Sequence, residues 1–221
     1  NCYHVTMNKH ITDDIKAVFF DHDDTLVDTM GTKWAQHIFI ASEYYGKNLS
    51  REEITEHWGK PLHELIGILY GTNDIEQAME YNIKHHKQFP KGLFPGTIDT
   101  IKKLHASGKV IGIVTATVRL SFETDTKLHK FPMDLIDYTQ TSEDTVFHKP
   151  DPRVFEPATK WLEGRGIKPS ETIYIGDGTK DIEAALGAGY NFLGVETGLT
   201  TKEYFKRSGV KSVANISKVY I

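Results

Sequence analysis

The 221-residue chain carries one cysteine, Cys2, so no internal disulfide can brace it and its core must hold by packing alone. A reducing compartment fits that composition. No apolar run approaches the roughly 18 residues that cross a bilayer, and no export signal is visible, so a cytoplasmic protein without membrane association is expected. Neither sign of charge dominates: 26 Lys and Arg against 30 Asp and Glu leave −4, with no basic stripe, which argues against nucleic acid as a partner. Internal repeats and low-complexity segments are absent. Asn48-Leu49-Ser50 and Asn215-Ile216-Ser217 match the glycosylation triplet, but without an export signal both read as chance. With 39% hydrophobic and 25% charged residues, the chain has the composition of one large globular domain or a domain with a sizeable insertion.

What is present is concentrated in residues 18–28. Val18, Phe19 and Phe20 form an apolar run without alternation, the pattern of a strand buried on both faces. Directly after it come Asp21, Asp23 and Asp24, then the hydroxyl of Thr25. A strand interior cannot hold that much uncompensated charge, so the acids belong where the strand leaves the sheet. In open α/β sheets that carboxyl edge is where ligands bind.

Residues 1–16 carry no clear pattern and are expected to form a tail. Beyond Thr25 the spacing turns helical. Trp34, Ile38, Ala41 and Tyr45 repeat at helical intervals up to Gly46, and Ser50 with Glu53 resembles a capping box opening a helix through Trp58. Leu62, Leu65, Ile66 and Leu69 form a third stripe, and Asp74 caps a fourth segment with Ile75, Met79 and Ile83. Four helices without an intervening strand point to an all-α insertion over 29–92, re-entering the main domain near Phe94-Pro95-Gly96. Strands and helices then alternate. Strands are expected at 110–114, 134–139, 172–175, 192–195 and 212–214, with helices at 98–104, 120–130, 154–162, 182–186 and 201–207. The fold class is α/β, a doubly wound parallel sheet formed by 17–28 and 93–221.

Parallel strands present their carboxyl ends on one edge, so Asp21, Asp23, Thr115, Asp177 and Asp181 can converge although they span about 160 positions. Lys149 lies in a loop at the same edge. Two carboxylates 4 Å apart repel by about 4 kcal/mol at an effective dielectric near 20. Such a cluster calls for cations: Lys149 supplies one charge, and an all-oxygen set suits Mg²⁺. That combination is built for the oxygens of a phosphate.

Four stretches in order carry a resemblance to the haloacid dehalogenase superfamily, in its phosphohydrolase branch with phosphoglycolate-phosphatase and β-phosphoglucomutase-like members. They are Asp21-His22-Asp23-Asp24-Thr25-Leu26, Ile113-Val114-Thr115, Lys149-Pro150-Asp151-Pro152 and Gly176-Asp177-Gly178-Thr179-Lys180-Asp181. The resemblance implies a helical cap and a Mg²⁺-dependent phosphatase acting on a small phosphate monoester, phosphoglycolate- or sugar-phosphate-like. It implies that Asp21 is the nucleophile, forming an aspartyl-phosphate, and that Asp23 is the general acid and then the base. Asp21, the Asp23 carbonyl and Asp177 would hold Mg²⁺, with Asp181 as ligand or support. Thr115 and the Ala116 amide would bind phosphate oxygens, and Lys149 would neutralise charge. Many relatives have glycine where this chain has Asp24, whose carboxylate is therefore expected to turn away from the phosphate.

Other readings stand beside this one. Asp181 could serve only the first turn of its helix. His22 and His148 read as bystanders, and His85-His86 as a solvated helix face. Lys60 and His63, at the Gly59-Lys60-Pro61-Leu62 break, are candidates for reading the substrate, or part of an ordinary helix-linking turn. A phosphosugar mutase typically adds a histidine where this chain has Met30-Gly31-Thr32-Lys33. A phosphonatase has a small residue in place of Asp23. A receiver-type signalling domain, the alternative from another class, lacks both the insertion and the second acid. The expected partner is a phosphorylated metabolite, with the chain a monomer or weak dimer.

Overall fold

The computed structural model describes residues 9–58, 60 and 62–221; Cys2, the first half of the expected tail, Gly59 and Pro61 lie outside the described residues. The first strand, β1 (Ala17–Phe20), is buried along its whole length. A short β2 (Val27–Asp28) precedes four helices, α1 (Thr29–Tyr45), α2 (Arg51–His57), α3 (Leu62–Tyr70) and α4 (Ile75–His85). The short β3 (Gly92–Leu93) pairs with β2 in a two-stranded sheet. Then come α5 (Thr97–Ala106), β4 (Val110–Val114), α6 (Arg119–Leu128), β5 (Tyr138–Gln140) and α7 (Glu156–Glu163). The chain finishes with β6 (Thr172–Gly176), α8 (Thr179–Gly187), β7 (Asn191–Val195), α9 (Lys202–Arg207) and β8 (Lys211–Val213). The described chain divides into two compact units, one of Thr29–Gly92 and one of the residues on either side. Among the described residues no helix is long and apolar enough to cross a membrane.

The larger unit is built on a six-stranded sheet in the order β5-β4-β1-β6-β7-β8, every pair parallel. Val18 and Phe20 pack on one face with Ile101 and Leu104 of α5 and Phe122 of α6. Ala17 and Phe19 pack on the other with residues of α7, α8 and α9, among them Leu162, Ile182 and Phe205. Helices on both faces explain why β1 shows no polar alternation. Burying each of these Val, Ile, Leu and Phe side chains contributes about 1.5–3 kcal/mol.

Three expectations need correction here. Residues 9–16 are not a tail: Ile11 and Ile15 are buried in the core, and the His10 and Ile11 amides donate to the Tyr220 carbonyl. Two isolated apolar residues in a polar stretch give no period, so only the tertiary pairing reveals them. The strand expected at 134–139 is a 3₁₀ turn, Met133–Leu135, followed by β5, because Asp137 uses its carboxylate to accept from the Ile111 amide. The helix expected from Val154 starts at Glu156, after a 3₁₀ turn over Pro152–Phe155 opened by Asp151.

In the helical unit the Ser50–Glu53 capping box and the Asp74 cap are both formed. Trp34, Ile40, Ile54, Ile66 and Leu69 make its core. The stripes are less apolar than the sequence suggests: Ile83 is 72% exposed, whereas Gln36 and His37 are buried. His37 Nδ1 lies 2.7 Å from the Tyr70 hydroxyl, Asn82 donates to that hydroxyl at 3.1 Å, and Gln36 donates to the Asn82 carbonyl. Burial lowers the His37 pKa to about 4, keeping the ring neutral, with Lys33 adding to the shift. His85 is not solvated either: it is buried, with Nε2 2.6 Å from the Tyr44 hydroxyl, and only His86 is exposed.

Candidate active site

The three central strands β4, β1 and β6 are neighbours, so the residues just past their carboxyl ends meet. Asp21 follows β1 and still donates its amide to Ile175 of β6, which extends the ladder and sets its direction. The chain then curls back: the Leu26 and Val27 amides both donate to the His22 carbonyl. Asp24 sits inside this turn at φ 56°, a left-handed conformation that glycine adopts freely and aspartate tolerates. Its carbonyl accepts from Thr197. A glycine would suit this position for its backbone conformation alone.

Lys149 lies beyond β5, and its peptide bond to Pro150 is cis. The buried ammonium stands 3.0 Å from Asp21 Oδ1 and 2.7 Å from Asp181 Oδ1, and donates to the Tyr174 hydroxyl at 2.6 Å. That hydroxyl in turn donates to the Val114 carbonyl. The other Asp181 oxygen accepts from the Gly178 amide at 2.9 Å. A Cβ on Gly176 would come within 2.8 Å of the Asp181 carboxylate, so glycine is needed there for the close approach. Asp177 accepts from the buried Thr25 hydroxyl at 3.3 Å.

Carboxylate oxygens of Asp21, Asp177 and Asp181 lie within 4.8 Å of one another. Burial pushes the Asp177 pKa up to about 8, with Asp21, Asp181 and Asp24 adding repulsion. Asp21 rises to about 6, again chiefly through burial, against the pull of Lys149. For Lys149 burial works to lower the pKa, but Asp181 and Asp21 together outweigh it and hold the ammonium well above its ordinary range. One ammonium does not neutralise three acids. The all-oxygen, partly desolvated set fits a hard divalent cation.

Thr115 is buried at the end of β4 and hydrogen-bonds Thr117 at 3.0 Å, and Thr117 donates to Asp23 Oδ2. Thr115, exposed Ala116 and Lys149 line one small cleft. The structure thus brings together Asp21, Asp177, Asp181 and Lys149, and links Asp23 to Thr115 through Thr117. Asp181 accepts from the Gly178 amide at the start of its helix and also pairs with Lys149, so it does not serve its helix alone. Lys60 and His63 belong to the helical unit. Lys60 pairs with Glu64 and lines a cavity of about 620 Å³ with Lys33, His37, Trp58 and Leu65, while His63 is exposed on α3.

Thr117 and Tyr174 were not legible as site residues. A hydroxyl two positions past Thr115, and a lone phenol in the aliphatic run Ile173–Ile175, were the signals available. His22, read as a bystander, is fully buried against Phe122, with ring centroids 5.1 Å apart.

Residues 18–195 match the family model described as haloacid dehalogenase-like hydrolase. Among curated relatives, a pyrophosphatase PpaX from Anoxybacillus flavithermus is 30% identical, covering 86% of this chain and 87% of its own. A pyrophosphatase PpaX from Bacillus mycoides is 29% identical, covering 87% and 88%. Among solved structures, a HAD-superfamily hydrolase of subfamily IA, variant 1, from Geobacter sulfurreducens superposes with a TM-score of 0.72 at 21% identity, over 96% of this chain and 97% of that one.

Proposed function

The chain belongs to the haloacid dehalogenase-like hydrolases, and from that membership we propose that it is a Mg²⁺-dependent phosphatase cleaving a small phosphate monoester through an aspartyl-phosphate. The observation that carries the proposal is the buried Asp21–Lys149–Asp181 ion pairing beside Asp177. Asp21 is the nucleophile: its carboxylate oxygen bonds to phosphorus as the bond to the leaving oxygen breaks. Asp23 gives its proton to that leaving oxygen. It then takes a proton from water, whose oxygen attacks phosphorus and releases phosphate and the free Asp21 carboxylate.

Lys149 holds Asp21 in place and offsets charge on the phosphoryl oxygens, and Thr115 with the Ala116 amide receives those oxygens. Thr117 orients Asp23 through its hydrogen bond. Mg²⁺, when bound by Asp21, Asp177 and the Asp23 carbonyl, supplies charge neutralisation and Lewis acidity. Both Asp181 oxygens are engaged by Lys149 and Gly178, so Asp181 supports the site rather than ligating.

Pyrophosphate is the second reading for the substrate, favoured by the names of the curated relatives. Turnover of p-nitrophenyl phosphate with Mg²⁺, and its loss with a chelator, tests the chemistry. Asp21→Asn is expected to lower kcat by about 10³-fold or more with the fold intact. Retained activity in that variant overturns the nucleophile assignment. Comparing kcat/KM for phosphoglycolate, sugar phosphates and pyrophosphate then selects the substrate class.

A further inference from the structure

A second group of ligating atoms lies beside the first. One ring nitrogen of His22 and one carboxylate oxygen from each of Asp23 and Asp125 fall within 4.8 Å of one another. Acidic residues close together are common and by themselves signify nothing. His22 is the second, independent observation: it is fully buried, and neither ring nitrogen has a hydrogen-bond partner among the described residues. Its Nδ1 stands 3.8 Å from Asp23 Oδ1. That is too long for a hydrogen bond, whereas a charged imidazole paired with a carboxylate closes to about 2.7–2.9 Å. A buried polar edge left in this way needs a compensating interaction.

The surrounding structure holds the three groups close together. Phe122 packs edge-on against the His22 ring, and Asp125, three residues further along α6, lies on the same helix face. Thr117 engages Asp23 Oδ2, and Asp23 Oδ1 is the oxygen 3.8 Å from His22 Nδ1.

We propose that His22, Asp23 and Asp125 form a divalent-cation site separate from the Asp21–Asp177–Asp181 cluster and suited to a borderline ion of the Zn²⁺ type. Ligands about 2.0–2.2 Å from zinc stand roughly 3–4 Å apart, which the His22–Asp23 separation already matches. One nitrogen with two carboxylates selects Zn²⁺, Co²⁺ or Ni²⁺ over Mg²⁺, which prefers oxygen alone. An ion at this site occupies the Asp23 carboxylate, so it inhibits hydrolysis. The inhibition rests on the proton-transfer role proposed for Asp23; the binding does not.

The test uses the full chain with Co²⁺ and Zn²⁺ as probes. In Asp177→Asn protein, where the first cluster is weakened, one Co²⁺ is expected to bind with the visible absorption of mixed nitrogen–oxygen coordination. Adding Asp125→Asn, a substitution of equal size, should weaken that binding by about tenfold or more. His22→Phe, checked for folding by circular dichroism, should remove the nitrogen-dependent absorption. With Mg²⁺ saturating, the Zn²⁺ concentration that halves p-nitrophenyl phosphate turnover should rise by about tenfold in Asp125→Asn, while turnover without Zn²⁺ stays at its native value. The proposal is overturned if Asp177→Asn protein binds no Co²⁺, or if Asp125→Asn and His22→Phe bind it as the native chain does. Full activity in Asp23→Asn alongside Asp125-dependent Co²⁺ binding upholds the site and instead removes the proton-transfer role.

Discussion

In the sheet-bearing unit Lys149 and Asp181 meet at 2.7 Å across 32 positions of chain, with the Asp21 carboxylate 3.0 Å from the same ammonium. In the helical unit the Tyr70 hydroxyl meets Asn82 at 3.1 Å and His37 at 2.7 Å, the latter across 33 positions, and these three side chains are uncharged. Both are buried polar clusters, yet they are held differently. Three adjacent strands of one direction deliver Asp21, Thr115 and Asp177 to a common edge, so charge accumulates there. Helices have no such edge, and their buried polar atoms are paired side chain by side chain with partners on other helices. The first arrangement concentrates reactivity and costs stability; the second adds specificity to a packed bundle.

The largest expected effect tests that contrast at Lys149. Lys149→Met removes the ammonium that pairs with both Asp21 and Asp181, and uncompensated buried charge costs about 3–5 kcal/mol. Urea unfolding in a chelator should show that loss, with phosphatase activity lost as well. Unchanged stability would mean that the acids are already neutral in the absence of metal.

A smaller effect is the pH dependence of the metal-free protein. Asp177 at about 8 and Asp21 at about 6 are both raised, first by burial, above the value near 4 that they take in the unfolded chain. The folded state therefore holds more protons than the unfolded state from about pH 4 upward. Stability falls as pH rises, through about 6 for Asp21 and about 8 for Asp177, at up to about 1.4 kcal/mol per pH unit for each group. Lys149 moderates the slope, and Mg²⁺ should flatten it. Unfolding curves with and without Mg²⁺ at several pH values check this; identical slopes would argue that no ion binds the acids.

The smallest effects belong to the helical unit. Tyr70→Phe leaves His37 Nδ1 and the Asn82 amide without that hydroxyl and should cost about 1–3 kcal/mol, while p-nitrophenyl phosphate turnover stays near its native value. Lys60→Met breaks an exposed pair with Glu64 and should change stability by less than about 1 kcal/mol. If Lys60→Met instead raised KM with stability intact, Lys60 would read substrate rather than link two helices.

Much of this was legible before any fold was seen. The apolar run Val18–Phe20, its abrupt end in acids, and the order of Thr115, Lys149 and Asp177 specify a parallel sheet with chemistry at one edge, because strand direction alone forces those ends together. The helices of residues 29–92 were legible from period and caps, Ser50 and Asp74 above all. Tertiary structure alone decided which polar residues go inside. Gln36, His37 and His85 sit among apolar neighbours because partners far along the chain satisfy them, and periodicity carries no information about such partners. The same holds for Ile11, which is buried only because the far end of the chain returns beside it, for Tyr174, whose hydroxyl supports Lys149, and for His22, whose burial no local pattern announces. Strand order was likewise a matter of packing: putting β4, β1 and β6 side by side is what turns separate acidic strand ends into one site.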